Sequence, residues 1–391
     1  MANAIIIVGY NRLISLKRLL TSLNNAEYCG DNVTLIISLD KSEIQNQLIV
    51  LSNGFVWKHG KKKIRAFSER QGLRQHILNC GELTSEYDGV IILEDDLTVS
   101  SGFYAYAKQA MDFYGNDARI AGISLYKHLI NLGSHQPFEP GNNGYDTFLM
   151  QFAQSWGQCW TKSMWIFFKT WYNSNYDKDI HLDNIPEYIL QWDEKSWLKY
   201  YMEYIVATNK FFVYPQVALS TNHSDAGTHC DDDNNDYQVP LLEGSKKYRF
   251  PPFDEAVKYD AFFERIDILE KIPFGKGKII CLDLYGKKKI FTNAEILIST
   301  APHHYRVVKK IQLKYRPHEI NCLFPTEGDD IFVYDLRYVD IAPLKKHYSK
   351  SRYDMKTIHW TEALRYGIVG LYKAITKRIG LLFIYLLCKD K

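Results

Sequence analysis

The 391-residue sequence predicts an α/β fold built on a mostly parallel sheet flanked by helices, and three features point there. Short apolar runs alternate with helical spacing: Ala4 to Val8 is followed by Leu13, Leu16, Leu19, Leu20 and Leu23, which recur at the period of one helix face. Val90-Ile91-Ile92-Leu93 is apolar at four successive positions, the pattern of a strand buried on both sides in a parallel sheet. The connections are short and ordered β-α-β, for which right-handed crossovers are the rule.

Further strands are expected at Val33 to Leu39, Lys63 to Phe67, Ala118 to Ser124 and Phe211 to Pro215, with helices over Arg74 to Leu83 and from Phe103 through Phe113. Residues 133 to 144 are rich in Gly, Pro and Asn and read as a loop. The aromatic segment from Trp156 to Tyr172 suits a core, although Trp156, beside Gly157, is placed where a Trp face can stack on a sugar. Leu190 to Trp197 opens another helix, with Asp193 as its N-cap or first-turn acid.

The strand at 90–93 runs straight into Glu94, Asp95 and Asp96. Adjacent carboxylates repel, and Asp is a poor strand former, so packing alone does not account for them. Ligands of open α/β sheets bind outside the carboxyl ends of the strands, where this cluster falls. A hard divalent cation, Mn2+ or Mg2+, with a diphosphate would offset the repulsion; a solvated strand-to-loop junction is the alternative. Arg12, after the first strand, suits a phosphate or a surface ion pair. Asp40, after the second, suits a ribose hydroxyl, a base N–H or a turn cap. Neither G-x-G-x-x-G nor G-x-x-x-x-G-K-[ST] occurs, which disfavours a Rossmann dehydrogenase or a P-loop enzyme.

Seven cysteines without a C-x-x-C pair argue against a disulfide framework or zinc ribbon. The N-terminal apolar run is too short for a signal peptide, so a cytoplasmic protein is expected. Lys and Arg against Asp and Glu give 25 − 34 = −9 for residues 1–270 and 23 − 11 = +12 for residues 271–391. The basic C-terminal part is therefore expected to meet something anionic.

The ordered set Val8-Gly9-Tyr10-Asn11-Arg12, Ile37-Ser38-Leu39-Asp40, Gln71-Gly72-Leu73-Arg74, Ile92-Leu93-Glu94-Asp95-Asp96-Leu97, Ser155-Trp156-Gly157, Gln191-Trp192-Asp193 through Trp197, and Asp225-Ala226-Gly227-Thr228-His229-Cys230 resembles GT-A glycosyltransferases. The likeness is to the N-acetylglucosaminyltransferase I-like enzymes and bacterial polysaccharide sugar transferases, over about residues 1–250. It implies a GT-A (Rossmann-like) sheet, a nucleotide-sugar donor carrying UDP, a glycan or lipid-linked glycan acceptor, inversion, and no nucleic-acid partner. Within it Asp96 would hold the metal, and Glu94 and Asp95 would meet sugar and ribose. Arg12 would meet the diphosphate and Asp40 the uracil or ribose. Arg74, Trp156 and His229 would complete the donor site, His229 on a loop ordering over the donor. Asp193 would be the general base, although W-D-x-x-x-W is wider than the family's W-D-D-W. A catalytically inactive sugar or nucleotide-sugar binding protein is the competing expectation.

Residues 1–270 are expected to form the glycosyltransferase domain and 271–391 a small basic α/β appendage, with strands at Lys278 to Leu284 and Asp330 to Tyr334. Its end, 360–388, has helical spacing, with Lys373, Lys377 and Arg378 before the apolar Leu381 to Leu387. That run is shorter than the roughly 20 residues a bilayer span requires. A peripheral helix on an anionic membrane and a helix docked on its own domain both fit the pattern.

Overall fold

The computed structural model describes residues 3–178, 182–225, 235, 237–291, 293–340, 349–354, 359, 361–372 and 375–376. The chain begins β1 (Asn3–Gly9), α1 (Leu13–Asn24), β2 (Thr34–Leu39), α2 (Gln45–Gly54), β3 (Lys62–Ala66), α3 (Leu73–Gly81) and β4 (Gly89–Glu94). It continues with β5 (Leu97–Val99), α4 (Phe103–Tyr114), β6 (Ile120–Ser124), β7 (Thr147–Met150), β8 (Gln158–Thr161) and α5 (Lys162–Asn175). Then come α6 (Glu187–Leu190), α7 (Trp197–Ala207), β9 (Phe211–Pro215), β10 (Ser220–Asn222) and β11 (Lys258–Tyr259).

Nine strands form one sheet in the order β11-β7-β9-β6-β8-β4-β1-β2-β3. The expected parallel pairing holds through β4, β1, β2 and β3. The sheet is mixed beyond β4, because β8 lies antiparallel between β4 and β6, and β7 is antiparallel to β9. Antiparallel β8 leaves β6 and β9 pointing the same way as β4, so the carboxyl ends of β1, β2, β4, β6 and β9 share one edge.

The period-two rule of strands shows directly in the core. Ile5, Ile7, Ile91 and Leu93 face one hydrophobic cluster with Leu16, Leu19 and Leu23 of α1 and Phe103 of α4. Ala4, Ile6, Val90 and Ile92 face a second cluster with Ile77 of α3, Phe168 of α5 and Tyr201 of α7. Helices therefore cover both faces, which is why β1 and β4 need apolar residues at every position. The aromatic segment after 156 is mostly core, as its helical spacing suggests. Trp160 is fully buried and stacks on Tyr201 with ring centroids 5.4 Å apart, and Phe168 stacks on the same ring at 4.1 Å.

A second sheet follows, β12 (Ile280–Asp283), β13 (Ile296–Ser299), β14 (Tyr305–Ile311) and β15 (Ile331–Val339), with the short helices α8 (Ile320–Leu323) and α9 (Ser349–Asp354). Its order is β12-β13-β15-β14, and it has its own core around Leu282, Ile298 and Val333. Charged contacts join it to the chain before it: Lys288 to Asp260 at 2.5 Å, and Arg265 to Glu319 at 3.6 Å.

Candidate functional site

The shared carboxyl edge brings the acidic cluster and Arg12 together. The Asp95 amide bonds the Val8 carbonyl, continuing the β1–β4 ladder past β4. An added Cβ at Gly9 would stand 3.0 Å from a methyl of Leu39, so the chain is closely packed where it leaves β1. The next residues turn outward into α1, and Arg12, at its N-cap position, reaches back across the gap. Its Nη2 lies 2.6 Å from Asp95 Oδ1 and its Nη1 donates to Asp96 Oδ2 at 2.8 Å. Asp95 and Asp96 are 2 % and 6 % exposed, so one guanidinium is the direct partner of two buried carboxylates.

The electrostatics follow from burial. Desolvation pushes the Asp95 carboxyl up to about 6; Arg12 opposes the rise and Asp96 adds to it. Glu94, at the end of β4, is pushed up to about 8, by burial first and then by Asp96. For Arg12 burial works against the charge, but Asp95, Asp96 and Glu94 outweigh it and hold the guanidinium protonated.

A second tier comes from residues distant in sequence. β10 pairs antiparallel with β5, directly after the acidic cluster. The His223 amide donates to the Asp96 carbonyl at 3.1 Å, and its Nε2 shares a 2.8 Å hydrogen bond with Thr98 Oγ1. Arg18 of α1 donates to the Asp96 carbonyl at 3.4 Å and forms an ion pair with Asp225, which also accepts from Ser15 at 2.6 Å. Burial raises the Asp225 pKa, but the bonds from Arg18 and Ser15 outweigh it and hold the carboxyl below its usual range. Arg18 and Thr98 escaped the sequence reading, whereas His223 falls in the polar, two-histidine stretch after Pro215 where binding groups are expected to collect. Arg18 looks like any cation on the polar side of an amphipathic helix, and the β5–β10 ribbon is too short to show a period.

The remaining expected residues divide. Asp40 is 3 % exposed and its carboxylate is used by backbone amides: Lys41 at 2.8 Å, Gln71 at 2.7 Å and Gly72 at 3.0 Å. It staples the end of β2 to the loop after β3. Gly72, at φ +74°, has the left-handed conformation that lets this loop turn into α3. Arg74 donates to the Glu194 carbonyl at 2.6 Å and the Tyr200 hydroxyl at 3.0 Å, bracing the 191–196 turn against α3. Asp193 therefore sits beside the same staple, exposed, with Oδ1 accepting from the Lys195 amide at 2.8 Å. It is neither N-cap nor first-turn acid: α7 starts at Trp197, after Ser196, because Asp193 closes its own turn instead.

Trp156 is half-buried against Tyr126 and Tyr237, at 4.8 and 4.7 Å between ring centroids, and its carbonyl accepts from Ser220 of β10 at 2.5 Å. It thus borders the acidic cluster through the β5–β10 ribbon. His229 lies outside the described residues. Among the described residues no three His, Cys, Asp or Glu side chains converge as a metal-holding group. Asp96 nevertheless keeps one buried oxygen, Oδ1, without a hydrogen-bond partner, and hard carboxylate oxygen suits Mn2+ or Mg2+.

Fold and site define an α/β protein with a cluster of paired charges at the carboxyl edge of its sheet. No protein-family model matches the chain, and no curated protein matches it. Among solved structures it is similar to Staphylococcus aureus TarS 1–349 in complex with UDP-GlcNAc, at TM-score 0.39 and 13 % identity, covering 59 % of this chain and 60 % of that one. It is also similar to GalNAc-T7 with UDP, GalNAc and Mn2+, at TM-score 0.36 and 13 % identity, covering 55 % of this chain and 42 % of that one. A third is the mannosyltransferase PcManGT of Pyrobaculum calidifontis in complex with GDP-Man and Mn2+, at TM-score 0.31 and 12 % identity, with coverage of 43 % and 46 %. The chain thus spans less than two thirds of the length of each. Likenesses at these scores carry no argument about chemistry, which rests on the residues themselves.

Proposed function

We propose that the chain is a glycosyltransferase of the GT-A kind that moves a sugar from a nucleotide sugar to a hydroxyl of a glycan or lipid-linked glycan. The observation that carries this reading is Arg12 held between Asp95 and Asp96 at the carboxyl edge of the parallel strands. A guanidinium fixed on two carboxylates still presents N–H donors to a diphosphate, and its charge is held by the acids behind it.

The reaction needs a group that stabilises negative charge on the departing nucleoside diphosphate more than in the bound donor. Arg12 supplies it, and Arg18, tied to the Asp96 carbonyl and to Asp225, fixes the floor of the site. Asp96 is the residue that would hold Mn2+ or Mg2+, and such an ion adds positive charge beside the same diphosphate. Glu94, whose carboxyl is pushed up by burial and by Asp96, suits hydrogen bonding to a sugar or ribose oxygen. Trp156 offers an aromatic face at the rim. Asp193, exposed in a turn braced by Arg74, takes the proton from the acceptor hydroxyl as it attacks, which makes the transfer inverting. The resemblance in the ordered motifs favours a UDP-sugar and bacterial surface polysaccharide synthesis.

A thermal-shift panel of UDP, GDP and CMP, with Mn2+, Mg2+ or chelator, tests the donor site on wild type and Asp96→Ala. A ligand at about 100 times its dissociation constant adds about 2.7 kcal/mol of stability. A metal-dependent shift with UDP that Asp96→Ala removes is the expected result. No shift with any nucleotide makes the cluster structural and ends the reading. Nucleotide binding without transfer to any of a broad acceptor set assigns a binding protein instead.

A further inference from the structure

Residues 361–372 form a helix whose large apolar side chains face outward. Leu364, Ile368 and Leu371 are 58, 60 and 63 % exposed, and Ile375 follows at 48 %. The spacing of Leu364, Ile368 and Leu371, four and three residues, makes one stripe along the helix, and the sequence interval of four to Ile375 keeps the same period. None of them joins the hydrophobic clusters of the two sheets. Gly367 and Gly370 lie inside this helix, with nothing within 4 Å of an added Cβ, and interior glycines weaken a helix. The helix therefore gains from a surface that covers its stripe.

Charge selects the surface. Residues 361–378 contain one acid, Glu362, against Arg365, Lys373, Lys377 and Arg378, giving 4 − 1 = +3, within a C-terminal part that carries +12. Docking on the chain's own basic C-terminal part, or stripe to stripe on a second copy, would bring like charges together. An anionic phospholipid surface takes the apolar stripe into its acyl boundary and the cations at its headgroups. No helix among the described residues is long and apolar enough to cross a membrane.

We propose that the 361–372 helix, continued by Ile375, seats the protein on an anionic phospholipid leaflet. This stands independently of the proposed transferase activity. The test is co-sedimentation of the full chain with vesicles of phosphatidylcholine alone or with about 30 % phosphatidylglycerol, in low salt and in about 0.5 M salt. Wild type is expected to bind the anionic vesicles at least tenfold more tightly than the neutral ones, and high salt to weaken that binding. Leu364→Glu/Ile368→Glu/Leu371→Glu should lose tenfold or more of the binding while keeping the wild-type melting temperature, since all three side chains are exposed. Replacing Lys377 by Gln should weaken binding about fivefold. Wild type left in the supernatant with both vesicles overturns the proposal, as does equal, salt-insensitive binding to both. Concentration-dependent dimers that the triple variant abolishes, without lipid binding, assign the stripe to a second copy and also overturn it.

Discussion

A guanidinium 2.6 Å from Asp95 and 2.8 Å from Asp96 supplies one positive charge to two buried carboxylates. A divalent cation on the free Asp96 Oδ1 would share the negative charge of this carboxylate with Arg12 on Oδ2, and a diphosphate competes for the same guanidinium. Donor and metal should therefore each bind more tightly in the presence of the other. Arg12→Met is expected to raise Mn2+ affinity of the nucleotide-free protein while lowering UDP affinity tenfold or more, the loss of a charge-assisted bidentate contact. Titration calorimetry with each ligand alone reads both; unchanged Mn2+ affinity would discard this sharing of charge. Asp193→Asn should leave UDP binding intact and reduce turnover by 100-fold or more, as for loss of a general base. Retained turnover moves the base assignment to Glu194 or Asp183. Arg12, Asp95 and Asp96 were legible because each follows a strongly apolar strand. Asp225 was legible only as the start of a motif segment; its pairing with Arg18 was not, since the two meet across 207 positions of sequence and Arg18 has no local pattern to announce it.

Among elements, β1, β2, β4 and the helices between them could be read because apolar period and connection length agree. β8 could not. Gln158-Cys159-Trp160-Thr161 is four residues long and runs directly into α5, so its pattern merges with the helix; only pairing with β4 and β6 defines it as a strand. Its entry depends on Gly157 at φ +95°, where an added Cβ would stand 2.9 Å from Ser220 Oγ and 3.2 Å from Leu125. Gly157→Ala should therefore destabilise the fold by about 1–3 kcal/mol, combining left-handed strain with that crowding. Urea denaturation measures it, and a loss below a few tenths of a kcal/mol would show that the turn relaxes freely. Because Trp156 and Ser220 share this turn, weaker donor binding should accompany the loss.

For the molecule as a whole, several histidines are buried without charge. His76 is bonded to Ser38 at 2.7 Å, and desolvation lowers its pKa to about 4; burial takes His128 and His318 to about 3. The unfolded chain protonates these rings near the ordinary 6.5, so between pH 6.5 and 4 it binds more protons than the native state. Their contribution to stability is full above 6.5 and is lost as pH falls through that window, by at most about 1.4 kcal/mol per pH unit for each ring. Glu264, pushed up by burial, has the opposite slope, so the effect is read as a difference from His76→Gln. That variant should lose less stability than wild type between pH 7 and 5, and an identical loss would refute the assignment. Composition and charge marked the C-terminal part as separate in character, but its sheet order was hidden, because β13 and β14 are set by pairing with β15 rather than by local period. The place of β8 in the main sheet bears also on how the chain is made. During synthesis β4 and β6 leave the ribosome before the strand that joins them, and each carries an open row of N–H and C=O groups until residues 158–161 emerge. A nascent chain stalled earlier would hold an unclosed seam through the middle of its sheet, the kind of edge that chaperones shield and that aggregates when they do not.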